Sequence, residues 1–256
     1  MERITSRRHP LCVHVKKLGA VRSYREERGE FLCDGIKLLE EAVKSDMEIT
    51  HVITSAFVPF PLPLETKVHF ADKSILDSLS PLTSAQDTLF TCKFPAAGGK
   101  GALPCAPSDF TNGTHVLLDG MQDPGNVGAI IRTANAFGIC SVILTNGCAD
   151  PFNPKTVRAT MGAIFRQRIC HVSVSELSAL KAGGVRMIGA VPGEKSKDIS
   201  RVKLRGAVIA VGSEGRGLSD DVLMLCDEKV KIPISRECES LNAAIAAAII
   251  IWRARG

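Results

Sequence analysis

The sequence predicts an α/β fold in two units, the second built on a parallel sheet. Three observations predict it. From Thr114 onward, short and almost wholly apolar runs alternate with segments of helical periodicity, the pattern of strands buried on both faces. Ahead of them, Pro95–Gly113 is dense in Gly, Pro, Ser and Ala and reads as a linker. The 256 residues also exceed the roughly 150 that one domain usually takes. The expected division is a first unit over residues 1–94, a linker over 95–113 and a second unit over 114–256.

In the first unit, Glu30–Cys33 is a short apolar run, and Asp34-Gly35 turns the chain into I-K-L-L-E-E-A-V. There Ile36, Leu39 and Val43 recur at helical spacing. I-T-H-V-I-T-S reads as a strand. V-P-F-P-L-P-L cannot be a central strand or a helix interior, because its prolines lack the donors either would need. Lys67–Phe70 resumes as a strand, and S-I-L-D-S-L-S-P is a short helix stopped by Pro81. A small alternating α/β module results.

The second unit opens with the strand H-V-L-L-D, then G-M-Q-D-P-G-N-V-G and the helix A-I-I-R-T-A-N-A-F, closed by Gly138 as its C′ residue. S-V-I-L-T is the next strand, and Asn153-Pro154 has the form of an N-cap followed by N1. R-M-I-G-A-V supplies another strand. The stretch Gly206–Trp252 organises the rest. Its strand Ala207–Val211 runs into a turn rich in glycine, followed by a short helix that Ser219 can cap. A strand over Lys229–Ile234 and a long apolar helix, with Ser240 as its expected N-cap, complete it. Gly212, Gly215 and Gly217 suit close backbone approach to a ligand, with Ser213, Glu214 and Arg216 as polar groups at the same strand end.

Charge and cysteine usage narrow the function classes. The formal net charge is +5, and the first thirty residues carry eight Lys or Arg against four Glu, which points to a polyanionic partner at that end. Nine cysteines without a C-x-x-C pair indicate neither a disulfide framework nor a zinc site, and reduced thiols suit an intracellular compartment, cytosol or organelle alike. The longest apolar run, Ala243–Trp252, is too short to span a bilayer, and no secretory h-region stands at the N-terminus. D-P-G-N-V-G has the wrong spacing for a dinucleotide fingerprint and lacks the following acidic residue. No Ser-His-Asp set or metal-ligand cluster stands out, and His115 and His171 fall in strands.

Several polar residues sit where an apolar helix gives them no obvious reason to be. Arg132 lies between Ile131 and Ala134 and is expected to be partnered. Asn126 either precedes that helix or lies within it, and Asn242 falls in the first turn of the last helix. Arg158, Arg166 and Arg168 gather around one element, for phosphate contacts or for structural salt bridges.

Taken together, N-V-G-A-I-I-R-T-A, D-P-F-N-P-K-T-V-R-A-T-M-G-A-I-F-R, V-G-S-E-G-R-G-L-S, K-I-P-I and E-S-L-N-A-A-I-A-A-A-I resemble the SpoU (TrmH-type) RNA ribose 2'-O-methyltransferases of the SPOUT superfamily, in order and spacing over residues 115–252. The first unit, from S-R-R-H-P-L through F-L-C-D-G-I-K-L-L-E-E-A to T-S-A-Q-D, is similar to the RNA substrate-binding domain common in that family. The resemblance implies a parallel sheet with a deep trefoil knot and S-adenosylmethionine as methyl donor. It implies a donor site at Val211, Gly212, Ile232, Ile234 and Leu241, and no metal. Arg132 would be the central catalytic residue, with Asn126, Glu214, Ser240 and Asn242 around it. A guanidinium is essentially always protonated, so phosphate binding and stabilisation of alkoxide charge suit Arg132 better than action as a base. The resemblance further implies a homodimer with the last helix at its interface and an RNA substrate, ribosomal RNA ahead of transfer RNA. The opposing class is an RNA-binding protein that keeps the fold and lacks the chemistry.

Overall fold

The computed structural model describes residues 2–83, 85–95, 110, 112–235 and 237–255. Most of the expected linker, 95–113, lies outside the described residues. The chain forms two compact units, Met1–Gly101 with Asp150–Arg166, and Ala102–Ala149 with Gln167–Gly256.

The first unit contains β1 (Glu2–Ile4), α1 (Pro10–Ala20), α2 (Arg22–Arg28), β2 (Glu30–Asp34), α3 (Ile36–Lys44), β3 (Ile49–Thr54), β4 (Lys67–Ala71), α4 (Lys73–Leu79) and β5 (Thr88–Lys93). The sheet order is β1-β4-β3-β5-β2, with β4 parallel to both neighbours and β5 antiparallel to both of its own. Leu32, Ile53 and Leu89 pack beneath α1 and α4, through Leu11, Val15, Leu18, Ile75, Leu76 and Leu79. The elements before Glu30 and strand β5 were not anticipated. His9, which accepts from Leu11 N–H, and Pro10 at the first helical position are a legible start signal for α1.

The segment Asp150–Arg166 is held to this unit by three kinds of contact. Phe152 packs against Phe31 and Phe94 with ring centroids 5.0 and 4.6 Å apart. Arg166 donates to Glu41 Oε2 at 2.9 Å and Ser45 Oγ at 3.0 Å, so its role is a structural ion pair. The buried Arg25 donates through Nε and Nη2 to Asp150 Oδ2 and through Nη1 to the Leu18 carbonyl at 2.6 Å. An arginine this deep is tolerated because its charge and its donors are met together.

The second unit contains β6 (His115–Asp119), α5 (Pro124–Ala136) and β7 (Ser141–Leu144); α6 (Pro154–Thr160) lies in the segment counted with the first unit. It continues with β8 (Ile169–His171), α7 (Val174–Ala182), β9 (Met187–Ala190), β10 (Lys197–Asp198), β11 (Val208–Gly212), α8 (Asp220–Leu225), β12 (Glu228–Lys231) and α9 (Ala243–Ala254). All seven strands are parallel, in the order β10-β12-β9-β11-β6-β7-β8. Leu117, Ile143, Val208 and Ala210 share a core with Leu177 and Leu180 of α7 and Val222 of α8. α5 and α9 pack on each other, and their apolar residues Ile130, Ile131, Ala247, Ile250 and Ile251 are fully buried. β12 stops at Lys231 instead of Ile234, because Pro233 has no N–H for the ladder. The caps at Asn153 and Ser219 and the left-handed Gly138 after α5 are where the sequence places them.

Replacing Arg25 with Met leaves Asp150 without its charge partner and is expected to lower stability by about 3 kcal/mol. Removing Arg22, whose i,i+4 pair with Glu26 is exposed, should cost no more than about 0.5 kcal/mol. Chemical denaturation of the two variants measures the contrast.

Candidate active site

The functional geometry forms at the carboxyl end of β11. Gly212 is followed by a tight reversal in which Ser213 N–H donates to the Gly217 carbonyl at 3.1 Å and Gly217 N–H returns to the Ser213 carbonyl at 2.9 Å. A Cβ on Gly212 would lie 2.0 Å from the Gly217 carbonyl carbon and 2.3 Å from Leu218 N. Besides lining the cleft, this glycine is required by the loop itself, whose own backbone fills the place its Cβ would take. Gly217 supplies the turn's left-handed residue, with φ of 67°. Beyond it, Asp119 at the end of β6 accepts from Ser219 N–H at 2.7 Å and from Thr145 Oγ1 at 2.9 Å, which ties the loop to the neighbouring strand.

This reversal presents Glu214 to the first turns of two helices. Glu214 Oε1 accepts from Asn126 Nδ2 at 2.9 Å, from Asn242 Nδ2 at 2.7 Å and from Ala243 N–H at 3.3 Å. Asn242 Nδ2 also reaches Asn126 Oδ1 at 3.2 Å. Asn126 lies inside α5, its N–H held by the capping carboxylate of Asp123 at 2.7 Å, which settles its place relative to the helix start. The cap of α9 is Asn242, not Ser240. Its Oδ1 accepts from Ala244 and Ile245 N–H at 3.0 and 3.2 Å, so the helix starts two residues later than expected. The carbonyl of Ser240 instead accepts from Cys238 Sγ at 3.2 Å. Glu214 Oε2 makes no hydrogen bond among the described residues and remains an acceptor.

Arg132 departs from expectation. It is exposed on α5, six residues beyond Asn126, and makes no ion pair or hydrogen bond among the described residues. The structure thus brings Asn126, Glu214 and Asn242 into direct contact, and leaves Arg132 outside that cluster.

Beside the cluster is a cleft of about 450 Å³. Val211, Gly212, Ile232, Ile234 and Leu241 all line it, together with Glu214 and Ser240. Sequence reasoning missed its other wall, Val191 and Pro192 after β9 and Ile199 after β10, and, beside the expected Arg216, the charged rim residues Lys231 and Glu239. The apolar V-P pair after β9 gave no signal of a binding role. Near this end of the sheet, burial pushes the Cys226 thiol up to about 11, so it is a neutral thiol and not a nucleophile. Among the described residues no group of three or more His, Cys, Asp or Glu converges as a metal site, and no helix is long and apolar enough to cross a membrane.

The model of the SpoU rRNA methylase family matches residues 113–252. The chain belongs to that family. SpoU relatives align over its full length: it is 29% identical over 259 residues to the 23S rRNA (guanosine(2553)-2'-O)-methyltransferase of Bacillus subtilis, covering all of both chains. It is 30% identical over 232 residues to the 23S rRNA (adenosine(1067)-2'-O)-methyltransferase of Streptomyces laurentii, covering 87% of this chain and 84% of that one. The crystal structure of the AdoMet-bound rRNA methyltransferase of Sinorhizobium meliloti is similar with a TM-score of 0.82 at 25% identity, covering 99% and 97% of the two chains. The SpoU core accordingly spans the cluster, the cleft and α9.

Because its Cβ would collide with backbone and not with a movable side chain, Gly212→Ala should destabilise the second unit by about 3 kcal/mol or more. Gly215, with open space around it, should accept alanine nearly without cost. Thermal and denaturant melts of the two variants separate the roles of these glycines.

Proposed function

We propose that the chain transfers a methyl group from S-adenosylmethionine to a ribose 2'-hydroxyl of structured RNA, ribosomal RNA being the substrate favoured by the names of its relatives. The observation that carries this reading is the coincidence of the cleft with the Asn126–Glu214–Asn242 cluster at one strand end.

The cleft suits the donor. Its volume lies within the roughly 300–1,000 Å³ of small-molecule sites, and Val211, Ile232, Ile234 and Leu241 offer an apolar slot for a base. Glu214 and Glu239 on its rim meet cationic groups, while Arg216 and Lys231 meet a carboxylate. When bound, the donor supplies a methyl group on sulfonium sulfur, already activated for transfer.

What remains for the protein is alignment, charge stabilisation and removal of one proton. Glu214, anchored through Oε1 by three donors, holds Oε2 ready to accept a hydrogen bond at the cleft. Asn126 and Asn242 fix that carboxylate. Arg132 binds the phosphate next to the target ribose and offsets alkoxide charge as the hydroxyl proton passes to Glu214 Oε2. Ser240 lines the same cleft and orients the nucleoside.

The finer architecture belongs to the same reading. β12 lies beyond β9, yet α9 packs on α5 and touches β11, and Ile232, Ile234, Glu239, Ser240 and Leu241 between β12 and α9 line the cleft. This arrangement supports a deep trefoil knot, in the face of the general rule that chains are unknotted. α9 buries one face and leaves Ile245, Ile249 and Trp252 exposed at i, i+4 and i+7, which supports a homodimer through that helix. The first unit, with its basic first thirty residues, takes the role of the RNA substrate-binding domain, and the second that of the methyltransferase domain.

Arg132→Ala should leave calorimetric titration with S-adenosylmethionine unchanged while methyl transfer to unmethylated 23S rRNA falls at least about a hundredfold, the scale of one oxyanion-stabilising donor. Near-normal turnover would remove Arg132 from the mechanism. For the dimer, Ile245→Asp with Trp252→Asp should halve the mass measured by sedimentation; an unchanged mass would place the interface elsewhere.

A further inference from the structure

A second concavity, of about 460 Å³, opens in the methyltransferase unit, lined by Arg201, Lys203 and Arg205 on the run into β11 and by Arg253 near the end of α9. It lies at the amino end of β11, and the cleft at the carboxyl end. The two border each other through the segment after β10, where Ile199 lines the cleft and Ser200 the groove, but no residue lines both. It therefore forms no part of the donor site.

Its sequence has a simple pattern. R-V-K-L-R alternates cation and aliphatic residue, and the structure turns that alternation into two faces. Val202 and Leu204 are buried at 4% and 2% exposure, whereas Arg201, Lys203 and Arg205 are exposed. Val202 has extended backbone, φ −118° and ψ 135°. The backbone that carries these cations is pinned, since Arg186 Nη1 donates to the Lys203 carbonyl at 2.6 Å and Arg253 Nη2 to the Ser200 carbonyl at 3.2 Å.

The carboxylates near this segment form no ion pair with it, though the Ser200 hydrogen bond and, less strongly, the Arg201 charge hold the Asp198 carboxyl below its usual range. Asp198 accepts from Ser200 N–H at 2.8 Å, and Glu228 pairs with Arg186 and Lys197. Among the described residues, Arg201, Lys203 and Arg205 make no ion pair or side-chain hydrogen bond. Lys195 to Arg205 hold five cations and one acid. A pinned cluster of exposed cations, none of them in an ion pair among the described residues, beside a fourth suits a polyanionic polymer. It offers nothing built to read a base.

We infer that this groove is a phosphate-backbone site, which grips RNA away from the methylated nucleotide and independently of its sequence. The inference rests on the RNA reading proposed above. Because no residue lines both the groove and the cleft, the groove adds affinity and register without touching the target ribose.

The test uses the full chain and an unmethylated 23S rRNA transcript. Arg201→Gln/Lys203→Gln/Arg205→Gln keeps Val202 and Leu204, and an unchanged S-adenosylmethionine titration reports an intact fold. RNA affinity should fall about tenfold, and the plot of log affinity against log salt should become shallower by about 2 to 3. The KM for RNA should rise with kcat preserved, and Arg201→Lys/Arg205→Lys should behave as the parent. Equal RNA affinity and salt slope in parent and triple variant would overturn the groove. Loss of poly-glutamate binding with RNA binding intact would overturn it in favour of an acidic peptide. A parent chain that binds RNA but transfers no methyl group would sink the enzymatic reading and leave the groove standing, while a parent that binds no RNA would sink both.

Discussion

The missing side chain at Gly212 is the constraint on which the site depends. Only a hydrogen there lets residues 213–217 fold back within bonding distance of the strand they leave. That reversal fixes the height at which Glu214 emerges, and Glu214 in turn collects the first turns of α5 and α9 on one carboxylate oxygen. Two helices far apart in sequence are thus brought into register at their amino ends by one acceptor. Their orphan N–H groups and partial positive charge favour a carboxylate there, so the electrostatics of helix ends and the steric limit at Gly212 act in the same direction.

The parallel sheet was legible because its strands are continuous apolar runs, a pattern that only burial on both faces requires. Asn153, Ser219 and Gly138 were legible because caps depend on chemistry within three or four residues. The cap of α9 was not. Both Ser240 and Asn242 are good capping residues, and local preference cannot choose between them. Contact with Glu214, 28 residues earlier, decides for Asn242. Pro233 similarly marks a strand end that the apolar run K-V-K-I-P-I disguises. Nor does the sequence say that Arg25 reaches Asp150, a pairing across 125 positions.

The candidate site divides along the same line. Every residue expected around the donor lines one cleft, Val211 and Gly212 at the end of β11 and Ile232, Ile234 and Leu241 between β12 and α9. Arg132 was expected to be paired because it interrupts an apolar helix. Yet helix α5 buries Ile130, Ile131 and Ala134 on one side only, and Arg132 takes the other. The inference from composition failed since it counted apolar neighbours without asking which face they occupy.

The cations of this chain fall into two kinds with different consequences. Arg25, Arg166 and Arg186 each meet a carboxylate, and in doing so hold chain segments together. Arg132 and the Arg201–Arg205 row meet none among the described residues. An arginine already paired would have to give up its carboxylate before it could bind a phosphate, and much of the interaction energy would be lost in the exchange. Exposed pairs are also worth little to the fold, so leaving such cations unpaired sacrifices almost no stability. For a protein that works on a polyanion, an unpaired exposed arginine is thus inexpensive to keep and immediately usable.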